Sequence, residues 1–387
     1  MPVTPAPYQQ YGGVWNLTSQ SQAQGQTTWP IPPQPHLFAW GGNPQGQLGI
    51  GNLTYYSSPK QVGSLTNWLL LSSGQYQNLA VKTDGSLWGW GNGFHGVLGL
   101  GNQNNYSSPK QVGSLTNWST PIAGGQFSAA IKTDGTLWLW GLNNDGELGF
   151  GNTTNTSSPQ QLGSLTNWLS VSAGGYHVLA TQTNGTLWAW GNNFIGQLGL
   201  GNRTFYSSPK QVGSLTTWSK VTAGFQQSYA IKTDGTLWAW GKNNSAELGN
   251  GNTTNYSSPI QIGSLTNWSS IVSTSSSHFV LAFKTNGTLW VWGQNNKGQL
   301  GLGNTITYSS PVQLGTANLW TNVSNGNASS YGIQSNGTLW SWGLNNSGQL
   351  GLNTTTYSFS SPQQIGSLTT WSNISGGNNW AIGIAKT

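Results

Sequence analysis

The chain has 387 residues, of which only 5% are Asp, Glu, Lys or Arg, and its formal net charge is +6. Ordinary soluble domains carry about 25% charged residues, so the polar surface here must come from Asn, Thr, Ser and Gln. Cysteine is absent, which excludes disulfides and thiolate metal sites, and the lysines are scattered rather than blocked, which argues against nucleic-acid binding.

Residues 1–35 do not repeat. This segment is rich in Pro and Gln and contains Tyr8, Tyr11, Trp15 and Trp29. It reads as an extended N-terminal arm. A solvated linker has no need of two tryptophans, so these four aromatics are the candidate anchors onto another protein of a larger assembly. Met1 is followed by Pro2 and Thr4 with no basic region or apolar run, so no secretory signal is visible. No stretch approaches about 18 apolar residues, so no membrane insertion is expected. Asn-x-Ser/Thr triplets such as Asn184-Gly185-Thr186 are what chance produces in a chain this rich in those residues.

From residue 36 onward the chain repeats. An aromatic phrase begins at Leu37 (LFAWG), Leu87 (LWGWG), Leu137 (LWLWG), Leu187 (LWAWG), Leu237 (LWAWG), Leu289 (LWVWG) and Leu339 (LWSWG). The spacing is 50 residues, with two extra inserted once, inside Ser273 to Val280. One unit can be read from Pro59 to Gly91. PKQV is a short strand, GSLTN a turn-rich link, and WLLL from Trp68 a second strand. SSGQYQ is a loop, Asn78 to Lys82 a third strand, Thr83 to Ser86 a tight Asp-Gly turn, and Leu87 to Trp90 a fourth strand. Helical periodicity is missing, and 56 glycines oppose it.

In Leu187-Trp188-Ala189-Trp190 the tryptophans share one strand face and Leu187 and Ala189 the other. Both faces are apolar, so both must be covered. Four-stranded sheets stacked face to face around an axis meet that need. The pattern predicts an all-β, seven-bladed β-propeller over residues 36–387. The first phrase lacks a strand pair before it, and Trp371 to Thr387 supplies WSNIS and WAIGIAKT and then stops. N- and C-terminal strands should therefore share one blade and close the ring.

The phrases GNNFIGQLGLGN, Ser207–Pro209 (SSP), Ser172–Ala180 (SAGGYHVLA) and TNGTLWAWG together resemble the regulator-of-chromosome-condensation repeat family. The resemblance covers residues 36 to 387 and implies the same seven-bladed fold. Kelch propellers share the period, but their diglycine after an apolar strand is not the dominant word here. The founding member exchanges guanine nucleotide on a small GTPase and docks on chromatin. Neither activity carries over residue by residue.

The chemistry-bearing residues are few. Asp84, Asp134 and Asp234 sit in the tight turn where other copies have Asn184, Asn286 and Asn336, which makes them turn formers. Glu147 and Glu247 share a slot with Gln47, Gln197, Gln299 and Gln349, so a polar structural contact explains them. Asp145 lies in a variable loop. His36, His95, His177 and His278 are dispersed and do not form the three or four convergent ligands a metal needs. No Ser has a His–Asp partnership, and no glycine phrase precedes a helix. The expectation is a non-enzymatic protein without cofactor or metal.

Comparison of the copies with one another isolates two variable places. One follows the Trp-x-Trp-Gly strand (Asn43–Gln45, Gly93–His95, Asn143–Asp145, Asn193–Ile195, Asn243–Ser245). The other precedes the third strand (Gln75–Gln77, Gly125–Phe127, Gly175–His177, Phe225–Gln227). Antiparallel pairing puts both at the end of the blade away from the Asp-Gly turn, so they should ring one rim. Tyr76, Phe94, His95, Phe127, Tyr176, His177, Phe194 and Phe225 are the candidate binding residues, since variable aromatics on a rigid scaffold suit recognition. Drift in unconstrained loops is the alternative. The near-identical copies and scarce charge resemble structural or host-recognition proteins of phage particles (tail, fibre or capsid-associated). That places the chain in a virion or outside the cell, with a host-surface protein or glycan as partner. The alternatives are a bacterial inhibitor or adhesin, and an intracellular exchange-factor or chromatin-docking propeller, which would need a clustered charged face.

Overall fold

A tryptophan opens almost every blade, and a serine–proline strand closes it. In the computed structural model, which describes residues 33–316 and 319–387, blade 1 runs Trp68–Ser73, Gln77–Lys82, Leu87–Gly91 and Tyr106–Gln111. Blade 2 begins at Trp118, blade 3 at Trp168, blade 4 at Trp218, blade 5 at Trp268 and blade 6 at Trp320, each with four antiparallel strands in chain order. Blade 7 joins Trp371–Gly376 and Trp380–Lys386 to Pro35–Gly41 and Tyr56–Gln61. The unit spans Pro35–Thr387, and the fold is the expected seven-bladed propeller. Tyr8, Tyr11, Trp15 and Trp29 lie outside the described residues.

The sequence frame is shifted by one strand. The strand containing Pro59 does not open the blade of Trp68. It pairs with the first phrase through Phe38↔Gln61 and forms the outer edge of blade 7. The physical reason lies in the two connections. The glycine-rich loop after each Trp-x-Trp-Gly strand returns to the same sheet, whereas the GSLTN link crosses to the next one.

The first strands of successive blades touch one another and so lie nearest the axis. The closing strands are partly exposed along their length. Closure is a seven-pair antiparallel ladder from Pro35↔Lys386 to Gly41↔Trp380.

The second tryptophan of each phrase is the inter-blade rivet. Trp190 is fully buried among Leu137, Leu139, Val171 and Val178, residues of blades 2 and 3. Its indole N–H donates to the Glu147 carbonyl at 2.9 Å. Trp90, Trp140, Trp240, Trp292 and Trp342 donate in the same way to Gln47, Val97, Gln197, Glu247 and Gln299 of the preceding blade. Trp40 closes the circle by donating to Gln349 at 2.9 Å. Each such ring buries about 150–250 Å². The first tryptophan of the phrase behaves differently. Trp188 is half-buried and donates to Thr186 Oγ1, which donates to Asn184 Oδ1. In blade 5, Trp290 is also half-buried, with Lys284 Nζ 3.4 Å from its ring centroid, while Trp292 is fully buried.

One glycine per loop is dictated by close approach. Gly196 has φ +89°, and a Cβ there would lie 2.6 Å from Ser257 Cα of the next blade. In blade 4 the same place holds Ala246, buried at φ 63°, a conformation in which an L side chain is strained.

Candidate functional site: the variable rim

The two variable loop sets meet at one end of every blade. Asn92 N donates to Tyr76 O at 3.1 Å, Asn192 N to Tyr176 O at 2.9 Å, Lys242 N to Gln226 O at 3.0 Å and Gln294 N to His278 O at 3.0 Å. The Asp-Gly turns and GSLTN links meet at the opposite end, where Thr83 N donates to Asn67 O at 2.9 Å. Around the axis the inner loops of the variable end are tied together. Gln75 N donates to Gly124 O and Gly125 N to Gly174 O, and Gly175 N donates to Gly224 O. From blade 1 to blade 4 the variable side chains therefore stand on linked backbone.

Asn43, Asn143, Asn193 and Asn243, which the copy comparison placed in the variable set, are fully buried clamps. Asn193 Nδ2 donates to the carbonyls of Asn202 and Thr204, and its Oδ1 accepts from Leu198 N at 2.9 Å. Variation begins at the residue after each clamp.

Tyr76, Phe94 and His95 come together with Gln45, Asn92 and Gln126 around a cleft of about 290 Å³ at blades 7, 1 and 2. Phe94 is 59% exposed. His95 sits at φ 59° with its ring 3.9 Å from that of Phe94, and burial holds its imidazole below the ordinary value. Two blades on, Tyr176 and Phe225 stack edge-on at 5.6 Å, and Phe225 continues to His278 at 5.3 Å. The result is an aromatic arc over blades 3, 4 and 5, and Phe194 in the outer loop of blade 3 is 66% exposed. His278 and its neighbour Lys242 were not singled out from sequence. The signal was the register of His278, which is that of Tyr76 and Tyr176, and the position of Lys242 directly before the variable set, five residues from a slot that holds an acid.

Phe127 and His177 do not face the rim. Both are fully buried. Each is the first residue of a strand, paired with Gly141 or Gly191, and strand alternation turns it inward while Gln126 or Tyr176 before it faces out. His177 Nε2 lies 2.8 Å from Ser228 Oγ of the next blade, and burial pushes its pKa down to about 3.

The acidic slot has the structural role expected of it. Gln47, Gln197, Gln299 and Gln349 each accept from the backbone N–H two residues earlier with Oε1, and Glu147 and Glu247 do so with Oε2 at 2.9 and 2.7 Å. Neither glutamate's Oε1 makes a hydrogen bond, and the charges around it distinguish the two. Glu247 Oε1 lies 3.8 Å from Lys242 Nζ and 3.5 Å from His278 Nδ1. Glu147 Oε1 is buried without a hydrogen-bond partner, and burial pushes the carboxyl up to about 7. Asp145 beside it accepts from Asn192 Nδ2 at 2.8 Å. Burial, and then the neighbouring Tyr76, Glu147 and Asp145, raise the Tyr176 hydroxyl above its ordinary value. Among the described residues no group of three or more His, Cys, Asp or Glu converges.

Residues 118–383 match the RCC1-like domain, and residues 36–81 and 84–131 match the Regulator of chromosome condensation (RCC1) repeat. The chain belongs to the RCC1-like domain family. Among solved structures it is similar to Prp20p from Saccharomyces cerevisiae, with a TM-score of 0.82 at 20% identity over 92% of each chain. Yeast RCC1 (Prp20) bound to Kap60 gives 0.82 at 19% identity over 100% of this chain and 96% of that one. Human WBSCR16 gives 0.80 at 18% identity over 91% and 99%. At these identities the likeness is one of fold. No curated protein matches the sequence.

The other rim of this RCC1-like propeller is built for geometry. Asp84 Oδ1 accepts from Ser86 N and Oγ at 2.9 and 2.6 Å, bonds that hold its carboxyl below the ordinary range. Asn184 makes the same pair of bonds with Thr186. The turn side also carries an apolar ring that the sequence reading passed over. Leu65, Leu115, Leu165, Leu215, Leu265 and Leu368 are exposed, one in each GSLT link. Leu165 shares a cleft of about 370 Å³ with Trp168, Trp188 and Pro209.

Proposed function

We propose that this RCC1-like propeller is a protein-binding platform that engages its partner through the variable rim. One observation carries the reading: the copies keep the same backbone bonds between the two loops of the rim and vary at the side chains that stand on them. Those side chains include two exposed phenylalanines and an aromatic arc over three blades. A rigid ring presenting aromatic anchors loses little entropy on binding, which favours recognition over drift. Prp20p has been described together with its binding to Gsp1p and histones, and yeast RCC1 bound to Kap60. Those protein partners support a binding role for this chain too. Among the described residues no group of three or more His, Cys, Asp or Glu converges, which favours a non-enzymatic role. The narrower form of the reading, a component of a phage particle, rests on the near-identity of the copies and the scarcity of charge.

The test is capture of partners from the source cells, with identification by mass spectrometry. The combined variant Phe94→Ala, Tyr176→Ala and Phe194→Ala should lose the captured protein and keep its melting temperature. The combined variant Asp84→Asn, Asp134→Asn and Asp234→Asn, which uses the other natural turn residue, should retain it. Unchanged capture by the rim variant would overturn the proposal.

A further inference from the structure

The repeats provide an internal control for Glu147. The slot it occupies needs one acceptor, and glutamine supplies that acceptor in most copies. A glutamate there adds a second, charged oxygen inside the protein, which costs stability unless a cation or donor meets it. At Glu247 the chain supplies the partners itself, an ammonium and an imidazole. Lys242 comes from the same blade, directly after its Trp-x-Trp-Gly strand. His278 comes from the next blade, directly before its second strand. At Glu147 the equivalent positions are Leu142 and Tyr176. Among the described residues no cation stands there, and Oε1 is buried without a hydrogen-bond partner.

The surroundings suit an incoming cation. Asp145 is a second acid at the same seam, close enough to Tyr176 to act on its hydroxyl, and Tyr176 in turn contacts the Phe225 ring. Carboxylate on one side and ring faces on the other is the environment that stabilises an ammonium or guanidinium group. A bare divalent ion is less well served. It wants six or more oxygen ligands, and two carboxylates do not provide them.

We infer that the rim at the seam between blades 2 and 3 receives a lysine or arginine side chain of a protein partner, which pairs with Glu147 and stacks on Tyr176. This rests on the reading of the variable rim as the binding face. The partner supplies in trans the positive charge that Lys242 supplies to Glu247 in cis.

Glu147 and Glu247 are the two glutamates of the chain, so labelling glutamate carboxyl carbons with ¹³C gives two resonances, assigned with Glu147→Gln and Glu247→Gln. The pH midpoint of each is followed in the full-length protein as N-acetyl-arginine amide is added, with N-acetyl-citrulline amide as the neutral isostere and sodium chloride holding ionic strength constant. The arginine probe should lower the Glu147 midpoint by about one unit, the effect of a close opposite charge. It should leave the Glu247 signal in place, and citrulline should move neither. An unmoved Glu147 midpoint overturns the inference. If the Phe94, Tyr176 and Phe194 variant still loses its captured protein, the rim reading survives that failure. The source of the cation is read separately. Glu147→Gln should weaken capture of the same protein at least tenfold, and undiminished capture would overturn the assignment to a partner side chain.

Discussion

Trp380 Nε1 donates to Asn78 Oδ1 at 3.1 Å, joining the last strand of the chain to blade 1. Ser73 Oγ donates to the same oxygen at 2.7 Å, and Ser73 N donates to Ser375 Oγ at 2.8 Å. The end of the chain therefore secures both the ladder of blade 7 and the seam with blade 1. Deleting Trp380 to Thr387 should lower the melting temperature of the whole disk and open Pro35–Gly41 to protease. A truncated protein that melts like the full chain would show that the ring does not depend on this clasp.

The two tryptophans of a phrase should differ in worth. Trp190→Ala removes a fully buried ring and its bond to Glu147 O, and should cost about 3–5 kcal/mol. Trp290→Ala removes a half-buried ring and should cost roughly half as much, since the cost follows the area removed from water. Urea unfolding of both variants decides this, and equal costs would mean that the first tryptophan is as deeply riveted as the second.

Ala246 carries a strain that its counterparts avoid with glycine. Ala246→Gly should stabilise the protein by about 1 kcal/mol, the lower end of the cost of a left-handed non-glycine residue. The usual entropic penalty of glycine works against that gain, so a destabilised variant would show that the loop of blade 4 has relaxed around its methyl group.

Buried Glu147 and His177 should give opposite pH responses. The Glu147 carboxyl rises in the folded state from 4.5 to about 7. The folded chain then binds more protons than the unfolded chain across that window, so stability falls as pH rises through it. The loss is on the order of 3 kcal/mol. Glu147→Gln should be more stable than wild type at pH 8 and equal to it below pH 4.5. His177 is depressed from 6.5 to about 3, so its burial costs stability as pH falls through that range. His177→Gln, the residue that Gln77 and Gln227 already provide in other blades, should remove that acid sensitivity. Denaturation midpoints across pH for the three proteins test both signs.

Repetition made the fold readable, because every copy shows the same aromatic strand and every copy but the first the same turn before it. The clasp was readable because the terminal units complement each other. The blade frame was misplaced by one strand, since nothing in YSSPKQ says whether it pairs with the strand before or after it; the loop lengths settle that in three dimensions. At the rim, position along the chain located Tyr76, Phe94 and Tyr176 correctly. It failed for Phe127 and His177, where a shift of one residue in a strand reverses the direction of a side chain. The unequal situations of Glu147 and Glu247 depend on residues from the adjoining blade, which sequence spacing does not bring together.

The most direct measurement is amide hydrogen exchange of the full chain with and without its captured partner. Binding at the variable rim predicts added protection at Gln75–Gln77, Asn92–Gly96, Gly175–His177, Asn192–Gly196 and Phe225–Gln227. The opposite turns, Gly63–Asn67 and Thr83–Ser86, should be unchanged. Protection confined to those turns, beside the ring of exposed leucines, would contradict the account.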